Sequence, residues 1–321
     1  MAVEPIINPN YLRVKSKGDS LVVKALQADD QYAAKFSEID FACLSAMWAP
    51  SCDEDALQIL ADWLNWLFLF DDQFDDGHLK DDPIGAEEEI SKVVAIMNGT
   101  WPSVSMHEDP LGFLFQRVWG RLEKSLSPTT QQRLKETHQD IFCGLIQQIY
   151  DTGDLRTCTR DVQKYLQIRR KTVGASSAFA FCEAILGIEL PPHVQSHSSI
   201  QGLSNLSTDM LIFANDIVSY RRDLEEGTDL NLIEVLMEQG ISAQQAVDKA
   251  GEMLIDCYKQ WYTVLASVPI WGEETDRQVL KFINLWRDMV LGNLHWSFRT
   301  TRYLGNEGGE VHRTRVLHLP C

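Results

Sequence analysis

Between Pro128 and Pro191, and again between Pro192 and Pro269, the chain carries no proline. Proline inside a helix removes a hydrogen bond and clashes with the preceding turn, so these two long windows, with apolar residues at helical spacing, are free to become helices. Strict apolar–polar alternation is hard to find, and Asn-Gly or Asp-Gly hairpin signals flanked by β-branched runs are absent. The expected class is therefore all-α. Apolar spacing predicts helices near 53–76, 84–97, 110–125, 128–151, 159–187, 199–224, 230–239, 242–266 and 274–303. Ser51-Cys52-Asp53-Glu54 fits a capping box at the start of the first, and Asp76-Gly77 reads as its stop. Segments rich in Gly, Pro, Ser and Asp at 77–83, 98–109, 188–198 and 268–273 read as loops. No repeat and no linker divides the chain, so one helical bundle spanning 1–321 is expected, with 305–321 as a mobile tail.

Charge narrows the function. There are 29 Lys+Arg against 46 Asp+Glu, a formal net charge of −17. Nucleic-acid binding draws on clustered basic residues, so that partner class is excluded. An anionic small ligand would need cations recruited to its site. A chain of 321 residues buries roughly three-quarters of its unfolded surface and needs no staples. The seven cysteines, at 43, 52, 143, 158, 182, 257 and 321, form no CxxC pair, so neither a zinc ribbon nor a disulfide framework is indicated. The first residues lack the apolar core of a signal peptide, and apolar runs such as Val173 to Cys182 fall short of the ~20 residues that span a bilayer. The expectation is a reduced, cytoplasmic protein with no membrane span. HExxH, P-loop and GxGxxG strings are absent. The glycosylation strings at Asn98 and Asn205 carry little weight without a secretory signal.

Two oxygen-rich constellations stand out. The first helix ends in Phe70-Asp71-Asp72-Gln73-Phe74-Asp75-Asp76. Helix carboxyl ends already present partial negative charge, so each acid there costs a few tenths to ~1 kcal/mol. A bound divalent cation reverses that sign. Asp71 and Asp75 share one face, and Asp72 lies about 100° around. The second string is Asn215-Asp216-Ile217-Val218-Ser219-Tyr220-Arg221-Arg222-Asp223. Asn215, Ser219 and Asp223 recur every four residues, about 40° apart per step, so an amide oxygen, a hydroxyl and a carboxylate line one stripe. Such hard oxygen donors suit Mg²⁺. Alone, each string fits a solvated acidic helix end or a polar helix face equally well.

Together they resemble the two metal-binding motifs of class I terpene synthases: the aspartate-rich DDxxD and, 215 − 71 = 144 residues later, the NSE-type motif. Asp223 stands where that family more often has glutamate. Tyr165-Leu166-Gln167-Ile168-Arg169-Arg170-Lys171-Thr172-Val173-Gly174 resembles the segment before the family's helix break, which makes Arg169 the pyrophosphate-sensing arginine. Arg302-Tyr303 resembles the terminal RY element. The likeness spans about residues 60 to 305 and is closest to microbial sesquiterpene cyclases.

The resemblance implies an allylic diphosphate substrate, farnesyl by preference, and three Mg²⁺ ions held by Asp71, Asp75, Asn215, Ser219 and Asp223. It makes Arg169, Arg222 and Arg302 diphosphate donors, with Tyr303 adding a hydroxyl. Arginine suits this task because its planar fork grips phosphate oxygens in pairs. Breaking the C–O bond leaves a carbocation, so the remaining pocket must be dry. Trp63, Leu64, Leu67 and Phe68 share the side of Asp71, and Trp296 lies seven residues before Tyr303. Phe68 and Trp296 are the aromatic residues expected to steady cationic charge, an attraction of ~0.5–2 kcal/mol. Val173 and Gly174 are expected to break their helix and direct a carbonyl inward. The chain would act as a monomer or homodimer. A chain-elongating prenyl diphosphate synthase would carry a second aspartate-rich string where Asn215, Ser219 and Asp223 stand, and a noncatalytic helical scaffold would leave both acidic segments merely solvated.

Overall fold

The computed structural model describes residues 3–75, 77–150, 161–227 and 231–319. Asp76, the junction at 151–160, residues 228–230 and Cys321 therefore lie outside the described residues, as do the ends expected there for four helices. Every regular element among the described residues is helical, the α class expected from proline placement. No described helix is long and apolar enough to cross a membrane. The chain divides into two compact units: Ile6–Asp151 with Ala180–Leu186, and Met1–Pro5 with Thr152–Phe179 and Gly187–Cys321.

The first unit opens with α1 (Tyr11–Ala25), α2 (Asp30–Ile39) and α3 (Phe41–Trp48). No helix is expected here from apolar spacing; for α3 the reason is that its eight residues are buried at every position, which erases its periodicity. Then follow α4 (Glu54–Asp75), α5 (Pro83–Met97), α6 (Pro110–Leu122) and α7 (Pro128–Tyr150). The last three each begin on a proline, whose missing N–H is harmless in a first turn. Aspartates cap the first two: Asp82 accepts from Gly85 N at 3.0 Å, and Asp109 from Gly112 N at 2.8 Å. The capping box expected at Ser51 and Glu54 is not used. Asp53, two residues nearer the helix, caps α4 instead, accepting from Ala56 N at 2.8 Å. At the other end, a Cβ on Gly77 would stand 2.6 Å from Gln73 Cα, so only glycine fits that stop.

Aromatic rings fill the middle of this unit. Trp63 stacks on Phe181 with centroids 4.2 Å apart, and Trp66 packs on Phe115 at 4.2 Å and on Phe70 at 5.0 Å. The indole N–H of Trp63 donates to His138 Nε2 at 3.3 Å, which fixes the proton on Nδ1, directed at the Leu134 carbonyl 2.8 Å away. Full burial holds the pKa of His138 down at about 4.

The second unit begins with α8 (Val162–Thr172), capped by Asp161. Gly174 takes φ +72°, a left-handed turn that ends α8 and lets α9 (Ala175–Ile185) start in a new direction. The single helix expected over 159–187 is thus two, broken at Val173–Gly174 as the family likeness implied. A short α10 (Pro192–Gln195) leads to α11 (Ser198–Glu226), which ends at Gly227 with φ +67°. Next come α12 (Leu232–Met237), α13 (Ala243–Leu265) and α14 (Glu273–Ser297). The helix expected to reach 303 stops at Ser297. Thr300 then caps a new turn, α15 (Thr301–Leu304), and α16 (Gly308–Thr314) follows inside the expected tail. Packing on α11 anchors this unit: the Trp261 indole of α13 donates to Ser207 Oγ at 3.0 Å.

Candidate active site

The oxygen ladder of α11 is already wired together. Ser219, buried, donates its hydroxyl to Asp223 Oδ2 at 2.7 Å. Arg169, at the carboxyl end of α8, donates from a terminal nitrogen to Asn215 Oδ1 at 3.1 Å. The other half of the Asn215 amide donates to the Tyr303 hydroxyl at 3.2 Å. Five residues chosen from sequence therefore meet in one unit: Arg169, Asn215, Ser219, Asp223 and Tyr303. Burial raises the Tyr303 pKa, while Arg302 and Arg222 pull it back and Asp223 pushes it up, so all three charges lie within electrostatic reach of the phenol. Tyr303 stays protonated. It accepts from Asn215 and keeps its own proton for an acceptor. Arg222 also holds Glu226 at 2.5 Å. Trp296, fully buried, meets the Tyr303 ring edge-on at 5.7 Å and 85°.

Beneath the ladder lies a support that sequence reading did not assign. Asp216 is 0% exposed. Tyr165 donates its hydroxyl to Asp216 Oδ2, Leu232 N donates to the same oxygen at 3.2 Å, and Arg169 Nε stands 3.5 Å from Oδ1. Burial raises the pKa of this carboxyl, and Arg169 together with the two hydrogen bonds opposes the rise. Asn231 is likewise fully buried and ties α12 to α11 through its amide. One clue to Asp216 was its place in the motif string, a carboxylate set among Ala214, Ile217 and Val218. Asn231 offered only the preference of Asn for helix N-caps.

In the first unit, α4 carries Phe68, Asp71, Asp72 and Asp75 on one half-buried stripe, whereas Phe70 and Phe74 turn inward. Phe68 stacks on Phe41 of α3, with centroids 4.3 Å apart and planes inclined by 20°. Burial raises the pKa of Tyr32, and Asp72 adds to the rise through space. Of the expected apolar neighbours, Trp63 and Leu64 are wholly buried in the core, while Leu67 and Phe68 share the partly open stripe.

The donor chemistry fits a hard divalent cation. Asn215, Ser219 and Asp223 offer three oxygens on successive turns, each held in hydrogen bonds that position it. Only Asp223 brings a full charge, which leaves room for waters and phosphate oxygens. No group of three or more His, Cys, Asp and Glu suited to a metal exists among the described residues, so nothing there resembles a closed structural zinc site.

Comparison with known proteins agrees with this fold. A family model described as terpene synthase family 2, C-terminal metal binding, matches residues 62–260. The chain belongs to the class I terpene synthase family. It is 42% identical to Terpene cyclase 4 of Gibberella fujikuroi over 100% of its own length and 87% of that protein. It is 40% identical to the (+)-eremophilene synthase of the same organism, over 99% and 90% of the two chains. In fold it is similar to the crystal structure of α-eudesmol synthase, with a TM-score of 0.79, 23% identity and coverage of 92% and 97%.

Proposed function

We propose that this chain ionises farnesyl diphosphate and closes the resulting carbocation into a cyclic sesquiterpene, with Mg²⁺ as its metal. The observation that carries the reading is the set on α8, α11 and α15: an arginine and a tyrosine hydroxyl linked through Asn215, with the bonded Ser219–Asp223 pair on the same helix. Asp71 and Asp75 would be metal ligands on α4, and Asn215, Ser219 and Asp223 would be metal ligands on α11, for three ions in all. Bound Mg²⁺ supplies positive charge to the leaving diphosphate. Arg169, Arg222 and Arg302 donate to its oxygens, and Tyr303 adds its protonated hydroxyl. These donors favour the transition state because charge on the diphosphate grows as the C–O bond lengthens. An acidic chain thereby binds an anion, through cations held locally. Phe68 and Trp296 offer aromatic faces and edges that exclude water and steady the carbocation.

Chain elongation is the weaker reading, since Asn215 and Ser219 stand where a second aspartate-rich string would lie. Farnesyl is preferred over geranyl and geranylgeranyl by family likeness and by the relatives' names. Incubating the protein with each of the three diphosphates and Mg²⁺, then identifying volatile products, tests the proposal. A cyclic product from farnesyl diphosphate supports it; longer prenyl diphosphates, or no reaction with any substrate, would overturn it.

A further inference from the structure

The carboxylate closing the ladder is one methylene shorter than the glutamate its family more often carries, and it is held from outside the motif. Asn231 lies eight residues beyond Asp223, at the N-cap of α12, and is 0% exposed. Its amide is used completely. The Oδ1 accepts from Ile233 N at 2.8 Å, capping α12. One Nδ2 proton goes to the Asp216 backbone carbonyl at 2.9 Å and the other to Asp223 Oδ2 at 2.8 Å. These partners also fix which way round the amide sits, because a flipped amide would set two oxygens against its own oxygen. Leu232 N then donates to Asp216 Oδ2 at 3.2 Å, so two consecutive residues of the cap grip two carboxylates of α11.

We infer that Asn231 is a positioning residue for the metal site: it sets where the short Asp223 carboxylate stands. Ser219 and Asn231 converge on the same oxygen, Oδ2, which leaves Oδ1 for a cation. Ser219 keeps its lone pairs for that cation while its proton serves Asp223. A carboxylate held by two donors loses no rotamer freedom on binding metal, and outer partners of this kind typically change metal affinity by about 10–100-fold when removed. The inference rests on the proposed metal role of Asp223 and reaches past the motif, to a residue of the following helix.

Isothermal calorimetry with Mg²⁺ and inorganic diphosphate tests this without turnover, on the full chain. In Asn231→Ser the hydroxyl can still cap α12 but cannot span to both Asp216 and Asp223. Expected is an apparent Mg²⁺ affinity about tenfold weaker or more in a protein whose circular dichroism matches wild type. Adding Asp223→Glu to that variant restores most of the affinity, because the longer arm reaches the ion unaided. Should the serine variant not fold, Asn231→Thr, which caps as well and fills more of the buried volume, is read in its place. A folded variant with wild-type Mg²⁺ affinity, or one whose loss Asp223→Glu leaves untouched, overturns the inference while the wild type still binds. A wild-type chain that binds no Mg²⁺ with diphosphate overturns the metal reading itself, and this inference with it.

Discussion

The end of α4 and the middle of α11 present the same kind of atom, carboxylate and amide oxygen, on opposite kinds of foundation. Asp71 and Asp75 stand on an aromatic helix whose inward side, Phe70 and Phe74, packs against rings. Asn215, Ser219 and Asp223 stand on a buried polar frame of Arg169, Asp216, Tyr165 and Asn231. Acids at a helix carboxyl end oppose its partial negative charge, so one can be removed with little harm to the fold. Those on a polar frame are tied to groups that cannot be left buried and unsatisfied.

The largest expected effect is on turnover. Asp71→Ala or Asn215→Ala removes a proposed metal ligand and lowers kcat by about 10²–10³-fold or more, measured as diphosphate release from farnesyl diphosphate. The contrast appears in stability. Asp71→Ala takes negative charge from a helix carboxyl end, so it keeps its stability or gains up to about 1 kcal/mol in urea unfolding. Asp216→Ala strands Arg169 and the Tyr165 hydroxyl in the interior and costs about 3–5 kcal/mol. Equal losses in those two variants would erase the distinction between the foundations.

The aromatic foundation has its own pH signature. His138 titrates at about 4 when folded and near 6.5 when unfolded, so the unfolded chain takes the proton first. Its contribution is present above the unfolded value and is lost as pH falls from about 6.5 towards 4, amounting to about 3 kcal/mol. In His138→Gln, which can still accept from the Trp63 indole, the stability of the chain should fall less steeply across that window. An unchanged slope would mean that other groups carry it.

The smallest effect belongs to the surface. Arg221, on α11, donates to Glu307 at 2.6 Å and to the Leu304 carbonyl at 3.1 Å, holding the segment after Tyr303. Glu307 is mostly exposed, so Glu307→Gln should alter the melting temperature least of all, and less still at high salt.

Much of the frame was legible in the sequence, for identifiable reasons. Helices α4 to α7, α11, α13 and most of α14 announced themselves through apolar spacing, prolines and caps. Helix α3 did not, because total burial of Phe41–Trp48 leaves no polar face to set a period. The ladder was legible because ligands on one helix keep a fixed spacing. Its support was not: Tyr165, Asp216 and Asn231 come from three segments, and only the fold brings them together. The double duty of Arg169, bonded to Asn215 and paired with Asp216, was equally invisible, since spacing names a residue without naming its partner.

Binding of inorganic diphosphate by calorimetry, with Mg²⁺ and with a chelator, across wild type, Asp71→Ala and Asn215→Ala, tests most directly whether both foundations serve one metal-held anion. Wild type should bind only with Mg²⁺, and each folded variant should bind far more weakly. Diphosphate bound equally well in chelator, or wild-type binding by either folded variant, would contradict it.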